Sequence, residues 1–488
     1  MWKKLFLALA IVSFLALEAG AQSDSQLQRV ADLIGVAEIK TIQYSGSGDM
    51  FAIGQSRTPI AVWPRYYVKS FTRVIDYNTG SLRDDVVRIL GENPPWGGGQ
   101  PLAVEQRQIL LVSGDHAWNE VGKEMAPRFW EVMDRAHQIW ITPLGVIRAA
   151  LANNATVTTQ NKDGRKLTVI SFVERGKQKV NAYVNEENYI ERVESWYGHP
   201  VVGDMMVDTR YGPYRDFAGI KFPSRIVQYQ DGLPVLDLNI SSVRANVPVD
   251  IQVPDNVRNN PTPVKAEKAA DGIWYITGGS HHSVAIEMKD YVIVVEGPQS
   301  DQRSVAVIAE VKKSIPNKPI KYLVNTHHHF DHSGGIRAYA AEGATIVTHE
   351  INRPYYERAA VNSRSFSQDR LAKSGKKPVF QAMGDNMVLT DGSRTVELYQ
   401  INGNTHHDGI IMAYLRKEKV LIEADVFTPG APDAPAPKVP NPFSVNLSDN
   451  VRRLNIDVER ILPLHGRIVP YSELQRMVTP PKPAEQSK

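Results

Sequence analysis

One short stretch, Asn325–Gly335, most constrains what this chain can fold into, because it places four histidines and an aspartate directly after an apolar run. In an extended chain, side chains two residues apart project to the same side, so His327 and His329 share a side and Asp331 continues the alternation. His332 can turn towards a second position, since the glycines that follow allow a tight turn. The stretch therefore offers three imidazoles and a carboxylate, a ligand set that zinc accepts without thiolates.

The composition narrows the chemistry further. The 488 residues include no cysteine, which excludes disulfides, cysteine nucleophiles and thiolate metal sites, so any metal must be held by histidines and carboxylates. The formal net charge is only +3, which gives no basis for a nucleic-acid partner, and we expect a small-molecule substrate instead. The oligomeric state cannot be read from the sequence.

Further candidate ligands follow three other strand-like runs. His406 comes shortly after Val396–Ile401, Asp425 directly follows a run that ends at Ala424, and His465 directly follows one that ends at Leu464. Because several strands each deliver a histidine or an aspartate at their ends, we expect these side chains to meet in one site.

Together these motifs, in this order, resemble the metallo-β-lactamase superfamily, with a motif set similar to that of glyoxalase II. The likeness covers about residues 266–470 and implies the αββα sandwich of that family. It implies that His327, His329 and His406 bind one zinc ion, that Asp331, His332 and His465 bind a second, and that Asp425 bridges both. It also implies a hydrolase in which a hydroxide between two zinc ions attacks an ester, lactone, thioester or related bond, while Asp331 steers the proton as a catalytic residue.

The other histidines of this region are predicted to have different roles. His328 and His407 are each adjacent to a predicted ligand, and we expect His328 to make hydrogen-bonding or packing contacts. His281 and His282 lie in a Gly- and Ser-containing loop, where polar side chains often contact ligands, so we predict that they bind substrate.

Three alternatives stay open at this point. Cysteine-free enzymes of the same family hydrolyse β-lactams. The histidine ligands can also serve a mononuclear iron dioxygenase, so iron is the alternative metal. In the third alternative the protein binds an apolar ligand through its N-terminal domain, and the metal site is a relic.

The region before the histidine-rich part is predicted to be a separate, β-rich domain. Short alternating runs are separated by turn signals, which indicates an antiparallel meander, and residues 214–226 resemble late strands of periplasmic lipoprotein-carrier-like domains. A Pro- and Asn-rich stretch then marks a boundary. We therefore predict an α+β protein, with a β-rich N-terminal domain over 22–255, a linker over 256–265, a metallo-β-lactamase-fold catalytic domain over 266–479 and a disordered tail over 480–488.

The first 21 residues predict export. Lys3 and Lys4 precede a largely apolar run over Leu5–Leu17, and Ala19–Ala21 supplies a small-residue cleavage site. As a helix this run would rise about 20 Å, less than the roughly 30 Å of a bilayer core, so we expect a cleaved signal peptide. No later stretch is apolar enough to span a membrane, and the mature protein is expected to be periplasmic or secreted.

Overall fold

The computed structural model describes residues 25–92, 96–98, 102, 104–162, 164–174, 178–259 and 264–479. The predicted signal peptide, the predicted tail and residues 260–263 of the predicted linker lie outside this part of the chain. Within it, no helix is both long and apolar enough to cross a membrane.

The N-terminal region is built around one large antiparallel sheet, which confirms the predicted β-rich domain. Near the middle of the sheet, the strand Thr41–Phe51 pairs with Arg65–Asp76 on one side and with Leu233–Ala245 on the other. In the described chain the sheet has 13 strands, which from edge to edge are Glu124–Pro127, His116–Val121, Gln106–Ser113, Ser81–Leu90, Arg65–Asp76, Thr41–Phe51, Leu233–Ala245, Arg225–Gln230, Gly203–Tyr211, Ile190–His199, Gln178–Val184, Arg165–Glu174 and Thr156–Lys162. A separate hairpin joins Tyr214–Phe217 to Ile220–Pro223.

Helices cover the apolar face of this sheet. Residues 25–33 form one helix, and Val132–Trp140 and Pro143–Ala152 form two more, whose buried side chains share one core with the strands. The third helix begins where its sequence requires: the Thr142 side chain accepts a hydrogen bond from Gly145 N, and Pro143 occupies the first turn. A 3₁₀ turn, Phe129–Glu131, precedes the second helix, and the short helix Asp255–Arg258 packs Val257 beside Trp118.

The C-terminal region consists of two stacked sheets. One has seven strands in the order Lys265–Ala270, Ile273–Thr277, Ser283–Glu287, Val292–Val295, Ile320–Val324, Thr345–His349 and Val379–Met383. The other has six, Asn386–Thr390, Thr395–Gln400, Ile411–Leu415, Val420–Glu423, Arg460–Pro463 and Val469–Pro470. Central strands such as Val292–Val295 and Ile411–Leu415 are apolar and buried along their whole length, because both faces of each sheet are covered.

Helices close both outer faces and complete the predicted αββα sandwich. Against the seven-stranded sheet pack Asp301–Ser314, Ile336–Glu342, Arg353–Val361 and Arg370–Ser374. Against the six-stranded sheet pack Pro442–Arg453 and Tyr471–Val478. A single turn of helix, Phe330–Ser333, follows the strand Ile320–Val324 and its loop, and it carries two of the predicted metal ligands.

The two regions are held together by polar contacts away from the sheets' cores. Asp204 of the N-terminal sheet accepts hydrogen bonds from Ser363 Oγ and from Ser365 N and Oγ, at 2.7, 2.8 and 2.7 Å. Arg364, which lies between these serines, donates to the carbonyl oxygens of His199, Pro200 and Val201. This interface places the turn between Ile190–His199 and Gly203–Tyr211 beside the loop that carries His327–His332, where the rings of His199 and Phe330 lie 4.5 Å apart.

Candidate metal centre

Loops that follow four strands of the sandwich meet at one place. The strand Ile320–Val324 leads into the histidine-rich loop, and Thr395–Gln400 is followed by the loop that carries His406. Val420–Glu423 and Arg460–Pro463 run parallel, so Asp425 and His465, which come two residues after them, emerge at the same edge. The structure thus brings six of the seven predicted ligands into close clusters and places Asp331 at their rim.

Asp425 lies at the middle of this group. Its Oδ2 atom is 3.2 Å from His327 Nε2, 2.9 Å from His332 Nε2 and 3.0 Å from His406 Nε2. Its Oδ1 atom is 2.7 Å from His465 Nε2. Asp425 adopts a positive φ of 66°, a backbone conformation that aspartate tolerates better than most residues, and it does so at the point where one carboxylate faces four imidazoles.

The donor atoms form overlapping clusters of the size that a metal ion requires. His327, His329, His406 and Asp425 offer one ligand atom each within 4.8 Å of one another, and His281, His332 and His465 do the same. Every donor is an imidazole nitrogen or a carboxylate oxygen. This set fits divalent ions such as zinc and also fits iron, so it does not by itself identify the metal.

Hydrogen bonds at the opposite ring nitrogens orient three of these histidines. His329 Nε2 lies 2.9 Å from the carbonyl oxygen of Ser56, and His465 Nδ1 lies 2.7 Å from that of Ser280. A carbonyl can only accept, so each of these nitrogens carries the hydrogen. In the neutral ring the other nitrogen then keeps its lone pair, which points into the cluster as a metal ligand must.

His332 is oriented by a buried carboxylate that the sequence reading missed. Glu296, which is fully buried, accepts from His332 Nδ1 at 3.0 Å and also from Thr326 Oγ1 and Asn325 Nδ2. The arrangement is the carboxylate–histidine pairing that commonly supports metal ligands. A signal was available, because Glu296 directly follows the apolar run Val292–Val295, just as Asp425 follows another such run.

Burial and charge set the protonation of the centre. Burial, together with the neighbouring His332, lowers the pKa of His327 to about 3, and burial also lowers the pKa of His329 well below its usual value. Burial opposes ionisation of Asp425, yet the surrounding histidines hold its pKa well below that of an ordinary aspartate. Conversely, Asp425 and Asp331 raise the pKa of His332 well above its usual value, even though burial disfavours the charged ring. The centre therefore combines neutral rings of His327 and His329 with an ionised Asp425, whereas the neighbouring carboxylates favour the charged form of His332.

Asp331 lies at the rim of the centre and is held from two sides. Its Oδ2 atom is 3.1 Å from His281 Nε2, and its Oδ1 atom accepts a hydrogen bond of 2.7 Å from Gln55 Nε2. The distance from Oδ2 to His332 Nε2 is 3.8 Å. Although burial opposes ionisation, His332 and His281 hold the pKa of this carboxyl group well below its usual range. Its proton-steering role stays a prediction.

The two histidines predicted to bind substrate take different positions. His281 joins the cluster around His332 and His465, and its ring centroid is 4.2 Å from that of His465. His282 instead packs on Tyr275, with ring centroids 5.1 Å apart, and burial lowers its pKa to about 4. The substrate role of both residues stays a prediction.

His328 and His407 lie outside the clusters and bond to each other. His328 Nδ1 is 2.5 Å from His407 Nε2, and His328 Nε2 is 3.1 Å from Ser56 Oγ. His407 Nδ1 accepts from Gly409 N at 2.9 Å. Both rings are buried, and burial lowers the pKa of each well below its usual value, so they are neutral linkers between the two histidine loops and the N-terminal domain.

The N-terminal domain reaches this centre, which the sequence analysis does not predict. Besides the contacts of Gln55 and Ser56, Arg57 pairs with Asp408 at 2.5 Å, and Phe330 N donates to the carbonyl oxygen of Gly54 at 3.3 Å. The segment Gly54–Arg57 therefore lies along both loops that carry the clustered histidines. No motif marks this segment, because its role depends on how the two domains dock.

Comparison with known proteins agrees with the geometry. Residues 276–465 match the family model of the metallo-beta-lactamase superfamily. Among solved structures, a metallo-beta-lactamase from Pontibacter korlensis shares 16% identity over 44% of this chain and 97% of its own, with a TM-score of 0.35. One from Hirschia baltica shares 20% identity over 45% of this chain and 100% of its own, with a TM-score of 0.33.

Two proteins of known activity match parts of the chain. The alpha subunit of 2,4-dinitroanisole O-demethylase from Nocardioides sp. (strain JS1661) is 28% identical over 162 residues, which are 32% of this chain and 44% of that protein. The linear primary-alkylsulfatase from Pseudomonas sp. (strain ATCC 19151) is 42% identical over 57 residues, which are 12% of this chain and 11% of that protein. The matches span less than half the length of either relative.

Proposed function

We propose that the C-terminal domain, whose residues 276–465 match the family model of the metallo-beta-lactamase superfamily, is the catalytic domain of a dinuclear zinc hydrolase. Members of this superfamily, an alkylsulfatase among them, are metal-dependent hydrolases. The structure has histidine and aspartate clusters that can hold metal ions. We propose in addition that the ions number two, that both are zinc, and that the substrate belongs to the class described below.

The position of Asp425 carries the proposal. One of its oxygens faces His327, His332 and His406, and the other faces His465. Because the donor atoms of His332 and His465 also cluster with each other, this carboxylate lies between a group with His327 and His406 and a group with His332 and His465. Two divalent ions about 3.5–4 Å apart repel each other and require an anion between them. We therefore assign His327, His329 and His406 to one ion, Asp331, His332 and His465 to the other, and Asp425 to both.

The metal ions would supply Lewis-acid activation of water and of the substrate's electrophilic centre. The chain's own groups have separate tasks. Glu296 and the carbonyl oxygens of Ser56 and Ser280 hold three rings in orientation. Asp331, fixed between His281 and Gln55, is placed at the rim, where it can take a proton from the attacking water and return it to the leaving group.

The relatives support a particular range of substrates. Their names refer to an alkyl sulfate and to 2,4-dinitroanisole, which both join a cleavable polar bond to an alkyl or aryl body. We propose that this chain hydrolyses an ester, lactone, thioester or related bond, including a sulfate ester or aryl ether, in a molecule of that kind.

Elemental analysis of the purified protein, beside His327→Ala, tests the dinuclear assignment. About two zinc ions per chain, with at least one lost in the variant, is the expected result. A single iron per chain would overturn it and would favour an oxygenase. No bound metal after loading with zinc would also overturn it and would favour a ligand-binding protein. His116→Ala, on the N-terminal sheet, is the control that should keep full metal content.

Export is a further part of the proposal, supported by the charged start, apolar run and small-residue site of the first 21 residues. N-terminal sequencing of protein recovered from a periplasmic or secreted fraction should give Gln22 as the first residue. Full-length protein confined to the cytosol would contradict it.

A further inference from the structure

A cavity of about 580 Å³ lies where the two domains meet beside the metal centre. Its wall includes Ile53, Gln55, Trp130 and Tyr197 from the N-terminal domain and Phe330 and Asp331 from the C-terminal domain. We call it the interdomain cavity. Because Asp331 and its hydrogen-bond partner Gln55 both line it, the cavity and the metal centre share a wall.

Aromatic and aliphatic side chains form part of the wall of the interdomain cavity. Phe129 and Trp130 meet edge to face with ring centroids 4.9 Å apart, and Met133, one helical turn further along, is 36% exposed. Phe330, also in the wall, packs against His199 with ring centroids 4.5 Å apart. An uncovered group of aromatic and aliphatic side chains in a concave site is typical of ligand pockets.

The charges of the wall disfavour an anion. Asp134 and Asp301 line the cavity in addition to Asp331, and so do Glu131 and Asp369, which pair with Arg135 and Arg337. Among the described lining residues, Arg364 is the one with a permanent positive charge, and its guanidinium is engaged by three backbone carbonyls and is 6% exposed. A negatively charged group would therefore meet the carboxyl groups of Asp134, Asp301 and Asp331 and find no accessible cation among the described lining residues.

Two buried amides indicate what an occupant should offer. Gln230 and Gln299 line the cavity at 1% and 3% exposure, and the side-chain oxygen of each accepts no hydrogen bond from the described residues. A buried acceptor without a donor is costly, so these oxygens call for an N–H or O–H group from a bound molecule or from water.

We propose that the interdomain cavity binds an uncharged, apolar part of the substrate that carries an N–H or O–H donor, with the scissile bond at the metal centre beside Asp331. This inference rests on the proposed hydrolase function for the catalytic step only. It assigns the N-terminal domain a direct part in substrate recognition.

A matched pair of fluorescent probes tests the chemistry of the cavity without catalysis. N-phenyl-1-naphthylamine is uncharged and has an N–H donor, and 1-anilinonaphthalene-8-sulfonate has the same rings with an added sulfonate. In titrations of the zinc-loaded full chain we expect the neutral probe to bind about tenfold more tightly than the anionic one. Equal or tighter binding of the sulfonate would overturn the proposal.

Variants locate the bound probe. Trp130→Ala should raise the Kd of the neutral probe about tenfold, and Met133→Ala, at an exposed position that tolerates substitution, should raise it by a smaller factor. Tyr67, an exposed aromatic residue on the N-terminal sheet, does not line the cavity, so Tyr67→Ala is the control that should leave Kd unchanged. An unchanged Kd in both cavity variants would place the probe elsewhere and overturn the assignment.

A substrate series separates this inference from the proposed function. With p-nitrophenyl esters carrying terminal hydroxyl groups on acyl chains of increasing length, kcat/KM should rise with length in the wild type and rise less in Trp130→Ala. Metal-dependent hydrolysis that does not depend on chain length, together with no probe binding, would refute the role of the cavity and retain the hydrolase function. Probe binding that Trp130→Ala weakens, with no hydrolysis of any ester, would retain the cavity and remove the support from the hydrolase.

Discussion

Replacing Gln55 with alanine should impair a centre that lies in the other domain. Gln55 Nε2 donates a 2.7 Å hydrogen bond to Asp331 Oδ1, and His281 restrains only the other oxygen of that carboxylate. A hydrogen bond to a charged group contributes about 1.5–3 kcal/mol, and each 1.4 kcal/mol corresponds to a factor of ten. We expect Gln55→Ala to lower kcat/KM by about 10–100-fold, the range found when a partner of a metal ligand is removed.

The assay compares kcat and KM of the zinc-saturated protein with its metal content and its melting temperature. Gln55 acts through Asp331 and is a positioning residue, so the loss should fall mainly on kcat, while Tm changes little. Gln55→Glu keeps the shape of the side chain but replaces the donor with a carboxylate, and it should be at least as impaired as the alanine variant. Gln252→Ala, which removes an exposed bond to Asp250 in the same domain, is the matched control.

A clear result would refute this reasoning. If Gln55→Glu and Gln55→Ala both retain kcat/KM within about twofold of the wild type, the hydrogen bond to Asp331 contributes nothing to the reaction. If both variants lose activity only in proportion to a loss of folded protein, Gln55 stabilises the domain interface and does not position the carboxylate.

Three further substitutions probe the surroundings of the centre. Gly54 has a φ of +71°, and a Cβ added there would lie 2.2 Å from Phe330 Cγ, whereas Gly232 has a φ of +81° and open space around it. Gly54→Ala should therefore lower both Tm and kcat/KM more than the control Gly232→Ala does. A smaller effect in Gly54→Ala would contradict this expectation. His328→Ala should keep the metal content that His327→Ala loses. Because it removes the hydrogen bond to His407, it should lower the free energy of unfolding, measured by denaturant titration, by about 1–3 kcal/mol. Loss of metal in this variant would show that His328 is a ligand. Burial opposes ionisation of Asp204, but the hydroxyl and N–H donors of the opposite domain lower its pKa, so its stabilising effect should be complete above about pH 4 and decline as the pH falls through the lowered value. The Tm difference between wild type and Asp204→Asn should therefore narrow below that pH. A difference that widens would show that the ionised carboxylate of Asp204 does not stabilise the interface.

The fold could be predicted where the sequence carries local or repeated signals. Thr142-Pro143 marks a helix start through a side-chain cap and a fixed φ, and both features operate within one turn of chain. Alternating runs with turn signals predict an antiparallel meander, since neighbouring strands are joined by short turns. The number of strands in that sheet could not be predicted, because the pairing of Thr41–Phe51 with Leu233–Ala245 joins segments nearly 200 residues apart.

The site could be predicted to the extent that its ligands follow strands. His327, His329, His406, Asp425 and His465 each come shortly after an apolar run, and parallel or neighbouring strands bring their ends to one edge. Glu296 follows the same rule and was missed because a lone carboxylate lacks the metal-ligand spacing of the histidine motif. Its task becomes visible only when the ring of His332 is placed beside it.

The contribution of the N-terminal domain follows from a different kind of constraint. The backbone carbonyl of Ser56 fixes the ring of His329. Because any residue at that position presents a carbonyl, this contact cannot be recognised from the amino-acid sequence. What residue type does record is the absence of a side chain at Gly54, where Phe330 fills the space that a Cβ would need. A catalytic loop that is closed on one side by another domain cannot acquire its full hydrogen-bond set alone. We therefore expect the side chains of Asp331 and His329 to be less well ordered in the isolated C-terminal sandwich than in the full chain, because Gln55 and Ser56 would be absent.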